Sequence, residues 1–534
     1  MAAGQARLET DPLATAIRER VGELRGGGSP GPRGERIRLQ GAVARYYEIE
    51  QFRGSWTEPA QLSVLISQLE SVYEDGLEPK DYHVTMLRAF RDEYEANRVL
   101  TVDAQADLEL IATDAAILAL YHLYGGKVDP VSISSQWNFQ ARPIHSESAL
   151  QLLSRTLANG GIAEAFDRVR PEHVWYKEGR RRLADYRKIA AAGGWPTLPD
   201  GPVIKPGDSD PRLPVLRERL LATGDLPTPF GGTGDEFDAD TAAAVAKFQD
   251  RHGLTVDGIV GPATRAALNV SIEDRIDQIR INLERGRWVL HELHGDFVLV
   301  DVAGFAVSYF RNNQPIWRSR AVVGRPYRKT PIFKAEIDHV VFNPTWTIPP
   351  GILAKDKLPV IRRDPGYLAR NNIRVVDRNG GRVDPYSVDW KKYTAGNIPY
   401  QLVQDPGPSN ALGLVKIMFP NPYLVYLHDS PAKSLFERDQ RAFSSGCIRV
   451  QKAFELTELV LGDPDRWNRQ TMDRVIAGKR TQTVRLTKKI PVLILYWTAE
   501  PRPDGQVGFR KDIYERDAAV LAALDSGFHE RAAQ

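Results

Sequence analysis

The string YLHDSPAKSLFERDQRAFSSGCIRV (426–450) holds Cys447, the one cysteine in a chain of 534 residues. Its surroundings suit acyl transfer. A thiol becomes a strong nucleophile only as thiolate, so it needs a base or a cationic setting nearby. His428 is the nearest base in sequence and ends the apolar run YLVYLH, with Tyr426 two residues earlier on the same strand face. Ser444-Ser445-Gly446-Cys447 is small and flexible, so a carbonyl can approach the main chain closely. The amides of Gly446 and Cys447 are expected to hold a developing oxyanion. Downstream, VQKAFELTELVLG (450–462) reads as a helix whose N-terminal dipole would favour thiolate. Taken singly, each residue has a plainer reading. A lone cysteine is usually a small buried hydrophobe and a lone histidine a satisfied structural group.

Composition bounds what such a site can serve. One cysteine excludes an intrachain disulfide, and near-absence of thiols suits an oxidising compartment. Lys plus Arg number 71 against 68 Asp plus Glu, a net charge of +3 that gives no signature of nucleic-acid binding. The chain is 42% hydrophobic and 26% charged, globular values, and its length predicts two to four domains. No stretch reads as a membrane span, because LELIATDAAILALYHLYGG (108–126) carries Glu109, Asp114 and His122 and reads as a buried helix. The opening MAAGQARLETDPLATAIRERV lacks the apolar core of a signal peptide, so either there is no export or a leader has given way to an initiating Met. HELH (291–294) lacks the HExxH spacing, and neither a metal site nor a phosphate loop is expected.

The elements that must position the site follow from periodicity. Residues 22–36, GELRGGGSPGPRGER, read as a loose tether. From about 37 to 190 the pattern is helical, as in 60–77, where Leu62, Leu65, Ile66, Leu69 and Val72 share a face and Gly76 supplies a stop. The Pro- and Gly-rich stretch 193–213 marks a boundary. A compact helical unit follows, with Asp240 as a cap, Gly253 as a stop and Pro262 opening a last helix. After about 295 the period changes to two. Turns are expected at Ala303-Gly304 and Asn312-Asn313, and a strand pair around Pro503-Asp504-Gly505, which together point to an antiparallel sandwich or barrel. Trp346, Trp390, Tyr393 and Tyr400 are candidates to line a groove, with core packing the better reading for Trp346.

Two resemblances organise these parts. Phe248-Gln249, Gly253-Leu254, Asp257-Gly258, Gly261, Thr264 and Ala267-Leu268 resemble the three-helix peptidoglycan-binding module, which also occurs as an inert spacer. The spacing H-x18-C within SSGCIR, with 406–431 upstream, resembles the YkuD-type L,D-transpeptidases, and in particular their large periplasmic YcbB-type branch. The helical half, including 113–130 and QWNF (136–139), is similar to that branch's scaffold domain. The resemblance implies a multidomain α+β fold. Its parts are a flexible N-terminal segment (1–36), a helical scaffold (37–200), a peptidoglycan-binding-like module (205–270), a mainly antiparallel β-sandwich catalytic domain (285–515) with a capping subdomain at about 370–415, and a C-terminal tail (516–534).

The resemblance also implies roles. Cys447 becomes the nucleophile, His428 the base, Gly446 and Cys447 the oxyanion-hole amides, and Arg449 the arginine of GC-x-R, expected to fix the loop by binding carbonyls. Ser445 stands where many members carry a second histidine, which leaves His428 as the sole nearby base in sequence. Its orienting group is open among a backbone carbonyl, Asp429 and Tyr426. The implied reaction joins peptidoglycan stem peptides, donor and acceptor, through a thioester into 3→3 cross-links. It uses no cofactor, is open to covalent inhibition by carbapenems, and takes place in the periplasm, with other cell-wall enzymes as further candidate partners. The rivals are an L,D-carboxypeptidase using the same cysteine, a non-catalytic wall-binding scaffold, and more distantly a papain-like protease, whose Cys and His come in the opposite order.

Overall fold

The structure, a computed structural model, describes residues 11–26, 31–96, 99–133, 137–138, 146–227 and 234–527. The chain divides into two compact units, one comprising 1–135, 139–292 and 498–534, the other 136–138 and 293–497.

The first unit is helical. At its centre Val102–Gly125 is buried on nearly every face. Two of its buried acids point at backbone donors. Glu109 accepts from the amides of Ser55 and Trp56, and Asp114 from those of Arg38 and Leu39. A buried carboxylate is tolerated when its lone pairs are filled in this way. The N-terminal stretch expected to be flexible instead forms the helix Pro12–Arg25, capped by Asp11, with Ile17 and Val21 buried and Arg20 paired to Asp107 at 2.9 Å. The expected C-terminal tail likewise holds a helix, Asp517–Asp525, anchored by Val520, Leu524 and an Asp517–Arg285 ion pair of 2.7 Å. Both corrections have one cause: short apolar repeats at helical spacing were outweighed by the polar residues around them. Trp137 and Asn138 of the QWNF string form a strand, while Gln136 and Phe139 lie outside the described residues.

Within this unit, Leu213–Ala222, Ala239–Arg251 and Pro262–Leu268 enclose a core that includes Leu216, Leu220, Val245, Phe248 and Leu268. The helix cap is Asp238, whose side chain accepts from Thr241 N, and Asp240 merely follows it. Gln249 explains the signature residues around it. Its amide nitrogen donates to Asp257 Oδ1, Ile259 O and Thr264 Oγ1, while its oxygen accepts from the amides of Asp257 and Gly258. Residues 499–501 and 507–509 pair as a small hairpin, and they belong to this unit instead of the β-domain expected to run to 515.

The second unit is built on a sheet. Its strands are β1 (Trp137–Asn138), β2 (Phe297–Asp301), β3 (Ala306–Arg311), β4 (Gln314–Gly324), β5 (Ile332–Phe342), β6 (Trp346–Thr347) and β7 (Ile373–Val376). There follow β8 (Arg382–Val383), β9 (Gln401–Gln404), β10 (Val415–Met418), β11 (Leu427–His428), β12 (Ala442–Ser444), β13 (Ile448–Val450) and β14 (Gln482–Leu495). The main sheet runs β1-β5-β10-β11-β13-β4-β3-β2-β14, and β14 also pairs with β5, so the ladder closes on itself. Most pairs are antiparallel; β1–β5, β11–β13, β12–β4 and β2–β14 are parallel. Asn312 and Asn313 both have positive φ, 49° and 66°, the geometry a two-residue hairpin needs.

A four-stranded sheet, β6-β9-β7-β8, packs with helices between 350 and 370 around a second, smaller core. That core runs from Trp346 to Leu412 and takes in Leu353, Leu358, Ile361 and Leu368, so the subdomain begins well before the expected residue 370.

Candidate functional site

Three adjacent strands carry the site. Lys416 on β10 is the Cα partner of His428 on β11, and His428 is the Cα partner of Arg449 on β13. Residues directly opposite across a ladder share a face, so Lys416, His428 and Arg449 form one row. Cys447 comes just before β13 and Tyr426 just before β11, each two residues from its member of that row. The run YLVYLH is therefore a strand only over Leu427–His428. Leu424 has a left-handed backbone, φ 55°, which turns its carbonyl oxygen to 3.8 Å from Cys447 Sγ.

Hydroxyls fix the loop that carries Cys447. Thr330, fully buried, donates to the Gly446 carbonyl at 2.9 Å and accepts from Gly324 N at 2.9 Å. Ser444 Oγ donates to the Cys447 carbonyl at 2.6 Å and accepts the Gly446 amide at 3.1 Å. The Gly446 amide is thus spent inside the loop, contrary to its expected place in the oxyanion hole. Gly446 has φ 120°, a conformation other residues rarely adopt. With the Gly446 carbonyl tied to Thr330, the trans peptide directs the Cys447 N–H the opposite way, and that N–H has no partner among the described residues.

His428 is buried and oriented by a backbone carbonyl: its Nδ1 lies 2.5 Å from Asp429 O. Nδ1 facing that carbonyl carries the hydrogen, which makes Nε2 the basic nitrogen, and the Leu412 backbone also acts on the ring. The Asp429 carboxylate turns elsewhere, accepting from Leu414 N at 3.1 Å and pairing with Lys433. The Tyr426 ring meets the imidazole edge-on, centroids 5.7 Å apart. Burial, together with the Arg449 charge, pushes the His428 pKa down to about 3.

Cys447 is half-buried, and burial pushes its thiol up, while contacts with Tyr426 and the charges of Lys416 and Arg449 pull the other way. The expected help from a helix dipole is absent because β13 intervenes and the helix starts only at Ala453. At rest Cys447 is a thiol and His428 a neutral imidazole. Arg449 also departs from expectation. It is half-buried, and among the described residues its guanidinium makes neither an ion pair nor a bond to a loop carbonyl.

The remaining candidates divide. Trp346 and Trp390 are buried in the smaller core, and Trp390 spends its N–H on the Pro385 carbonyl at 2.8 Å, so it is not a groove residue. Tyr400 packs partly buried against the same core and meets Tyr393 edge-on at 5.9 Å. Ser445 is exposed, and its Oγ accepts from Arg328 Nη1 at 2.7 Å. The same guanidinium grips Asp356 at 2.6 and 3.1 Å. Sequence reasoning missed Thr330, Arg328 and Lys416, which lie far from Cys447 along the chain and carry no local signature. Ser444 was legible only as part of a small-residue run. Among the described residues no group of His, Cys, Asp and Glu is placed to hold a metal ion, and no helix is long and apolar enough to cross a membrane.

Comparison with known proteins agrees with this layout. Residues 295–492 match the model of the YkuD family, "L,D-transpeptidase catalytic domain"; residues 41–183 match "Scaffold domain", and 209–268 match "Putative peptidoglycan binding domain". A Haemophilus influenzae protein named "Putative L,D-transpeptidase" is 34% identical over 254 residues, 47% of this chain and 51% of that protein. The N-acetylmuramoyl-L-alanine amidase CwlL of Bacillus licheniformis is 38% identical over 68 residues, 13% of this chain and 19% of the amidase. The chain thus spans about half of the first relative and a smaller share of the second. Among solved structures, an L,D-transpeptidase fragment from Xylanimonas cellulosilytica shows 14% identity and a TM-score of 0.18, covering 56% of this chain and 99% of its own.

Proposed function

We propose that this chain, whose residues 295–492 match the L,D-transpeptidase catalytic domain of the YkuD family, forms 3→3 peptidoglycan cross-links through a thioester on Cys447. The scaffold match ahead of the module supports the YcbB-type branch, and a peptidoglycan substrate is what supports a periplasmic location. The observation that carries the reading is the seating of His428, whose Nδ1 faces the Asp429 carbonyl and whose backbone pairs with the strand that follows Cys447.

The steps follow from that arrangement. As Cys447 Sγ bonds to the carbonyl carbon before the terminal D-alanine of a tetrapeptide stem, its proton passes to His428 Nε2. The carbonyl oxygen takes the negative charge and receives the Cys447 N–H. Collapse breaks the C–N bond, and His428 returns the proton to the departing D-alanine amine, leaving the thioester. The side-chain amine of a neighbouring stem then attacks the thioester carbon, His428 accepts its proton, the C–S bond breaks, and His428 passes that proton to Sγ to regenerate the thiol. Stem peptides carry carboxylates, and the unpaired Arg449 guanidinium suits such a substrate. Carbapenems would acylate the same sulfur.

Mass analysis of products from purified protein and disaccharide-tetrapeptide tests the reading. Cross-linked dimer with loss of D-alanine, abolished in Cys447→Ser, is expected. Tripeptide monomer alone would make the enzyme an L,D-carboxypeptidase. Unchanged turnover in Cys447→Ser would exclude the cysteine as nucleophile.

A further inference from the structure

Lys416 has no place in the reaction as written, yet it stands at its centre. It lies between two ladders, the Cα partner of Val341 on β5 and of His428 on β11. Its Nζ sits 3.9 Å from the centroid of the Tyr426 ring, the residue that adjoins both the imidazole and the thiol. The side chain is half-buried, and among the described residues no carboxylate pairs with it. A lysine in that situation ordinarily snorkels to water or finds an acid, because a desolvated ammonium without a partner is costly. A ring face offsets part of that cost through the cation–π attraction and fixes where the charge sits.

We infer that Lys416 is a positioning residue for the nucleophile: its ammonium, held on the Tyr426 ring across the ladder from His428, is the fixed counter-charge that the Cys447 sulfur meets as its proton leaves. The charged groups around the sulfur support this division of labour. From β10 comes Lys416, from β13 Arg449, from β11 the neutral His428, and from the preceding loop the Tyr426 hydroxyl and backbone. Arg325, at the start of the loop after β4, acts on Arg449. The nearby acids are engaged elsewhere, Asp429 by Lys433 and Asp356 by Arg328. Of the two cations, Lys416 has the greater influence on the thiol and Arg449 the greater influence on the imidazole. Burial lowers the pKa of Lys416, and the thiolate is the one charge that raises it. Both cations favour sulfur giving up its proton and both oppose a charge on the imidazole, Lys416 weighing more at the sulfur and Arg449 more at the ring.

The inference rests on Cys447 as nucleophile, but its test needs no wall substrate. The chain has one thiol, so the rate of iodoacetamide alkylation of the full-length protein, followed by intact mass, reports on Cys447 alone. Lys416→Met is expected to move the pH–rate profile alkaline by about one unit, about tenfold slower at a fixed pH below the thiol's pKa, and Lys416→Arg to leave it near wild type. Should Lys416→Met fail to fold by circular dichroism, Lys416→Gln carries the same comparison. An unshifted profile in the folded, uncharged variant overturns the inference, and so does an equal shift in Lys416→Arg, which would assign the effect to packing. A shifted profile in a protein that makes no cross-links would fault the proposed function and leave this inference standing.

Discussion

His428 on β11 and Arg449 on β13 face each other as Cα partners of a parallel ladder, so the imidazole and an unpaired guanidinium share one face of the sheet. The arginine is there neither to pin a loop nor to neutralise an acid. Its effect within the protein is to oppose a second positive charge on the imidazole, in concert with burial. A thiolate–imidazolium pair is correspondingly disfavoured at rest, and in the proposed reaction proton transfer belongs to the moment of attack.

The acid side of the pH profile should show this. An ordinary histidine base would lose activity with a midpoint near 6.5, whereas His428 is held down to about 3. kcat/KM is therefore expected to stay level as pH falls through 6.5, and an acid limb centred there would contradict the assignment. Stability carries the same sign. Between about 3 and 6.5 the unfolded imidazole binds a proton that the folded one does not, so stability is lost as pH falls through that window. In urea denaturation at a series of pH values, His428→Gln should flatten the slope.

In the proposed reaction the oxyanion site depends on a residue that touches neither sulfur nor imidazole. Thr330 holds the Gly446 carbonyl and thereby aims the Cys447 N–H. Thr330→Val keeps the volume and removes the hydroxyl, so kcat should fall by about tenfold or more while KM changes little. Thr330→Ser should restore most of it. Steady-state kinetics decide the matter, and a Val variant that matches wild type would remove Thr330 from the site.

What the sequence disclosed follows the range over which its signals act. The two chemical groups, His428 and Cys447, and the turns at Ala303-Gly304 and Asn312-Asn313 are local in pattern, and the structure places those turns between β2, β3 and β4. The module's Phe-Gln signature was legible, but only the hydrogen bonds of Gln249 show that its polar members close a loop. Local reading failed where partners are distant. Thr330 meets Gly446 across 116 positions, and the commitment of the Gly446 amide to Ser444 is a matter of backbone direction, not residue type. The helix dipole expected at Cys447 was misplaced because a three-residue strand, Ile448–Val450, is too short to show a period before the helix begins.

Arg328 joins two parts of the second unit whose relative position should matter to turnover. Its guanidinium spans Asp356, in the wide turn Leu353–Lys357 on the edge of the smaller core, and Ser445, two residues before the nucleophile. A bidentate Arg–carboxylate pair fixes geometry as well as supplying energy, and wide turns of this kind recur at functional sites. Arg328→Ala and Asp356→Asn are each expected to lower kcat/KM by roughly threefold to tenfold by loosening the loop that carries Cys447. If the two residues act as one clamp, the double variant should be no worse than the more impaired single one, a coupling of about 1 kcal/mol. Steady-state kinetics on the four proteins close the cycle. Additive losses would mean that the ion pair seen between Arg328 and Asp356 does not transmit position to Ser445.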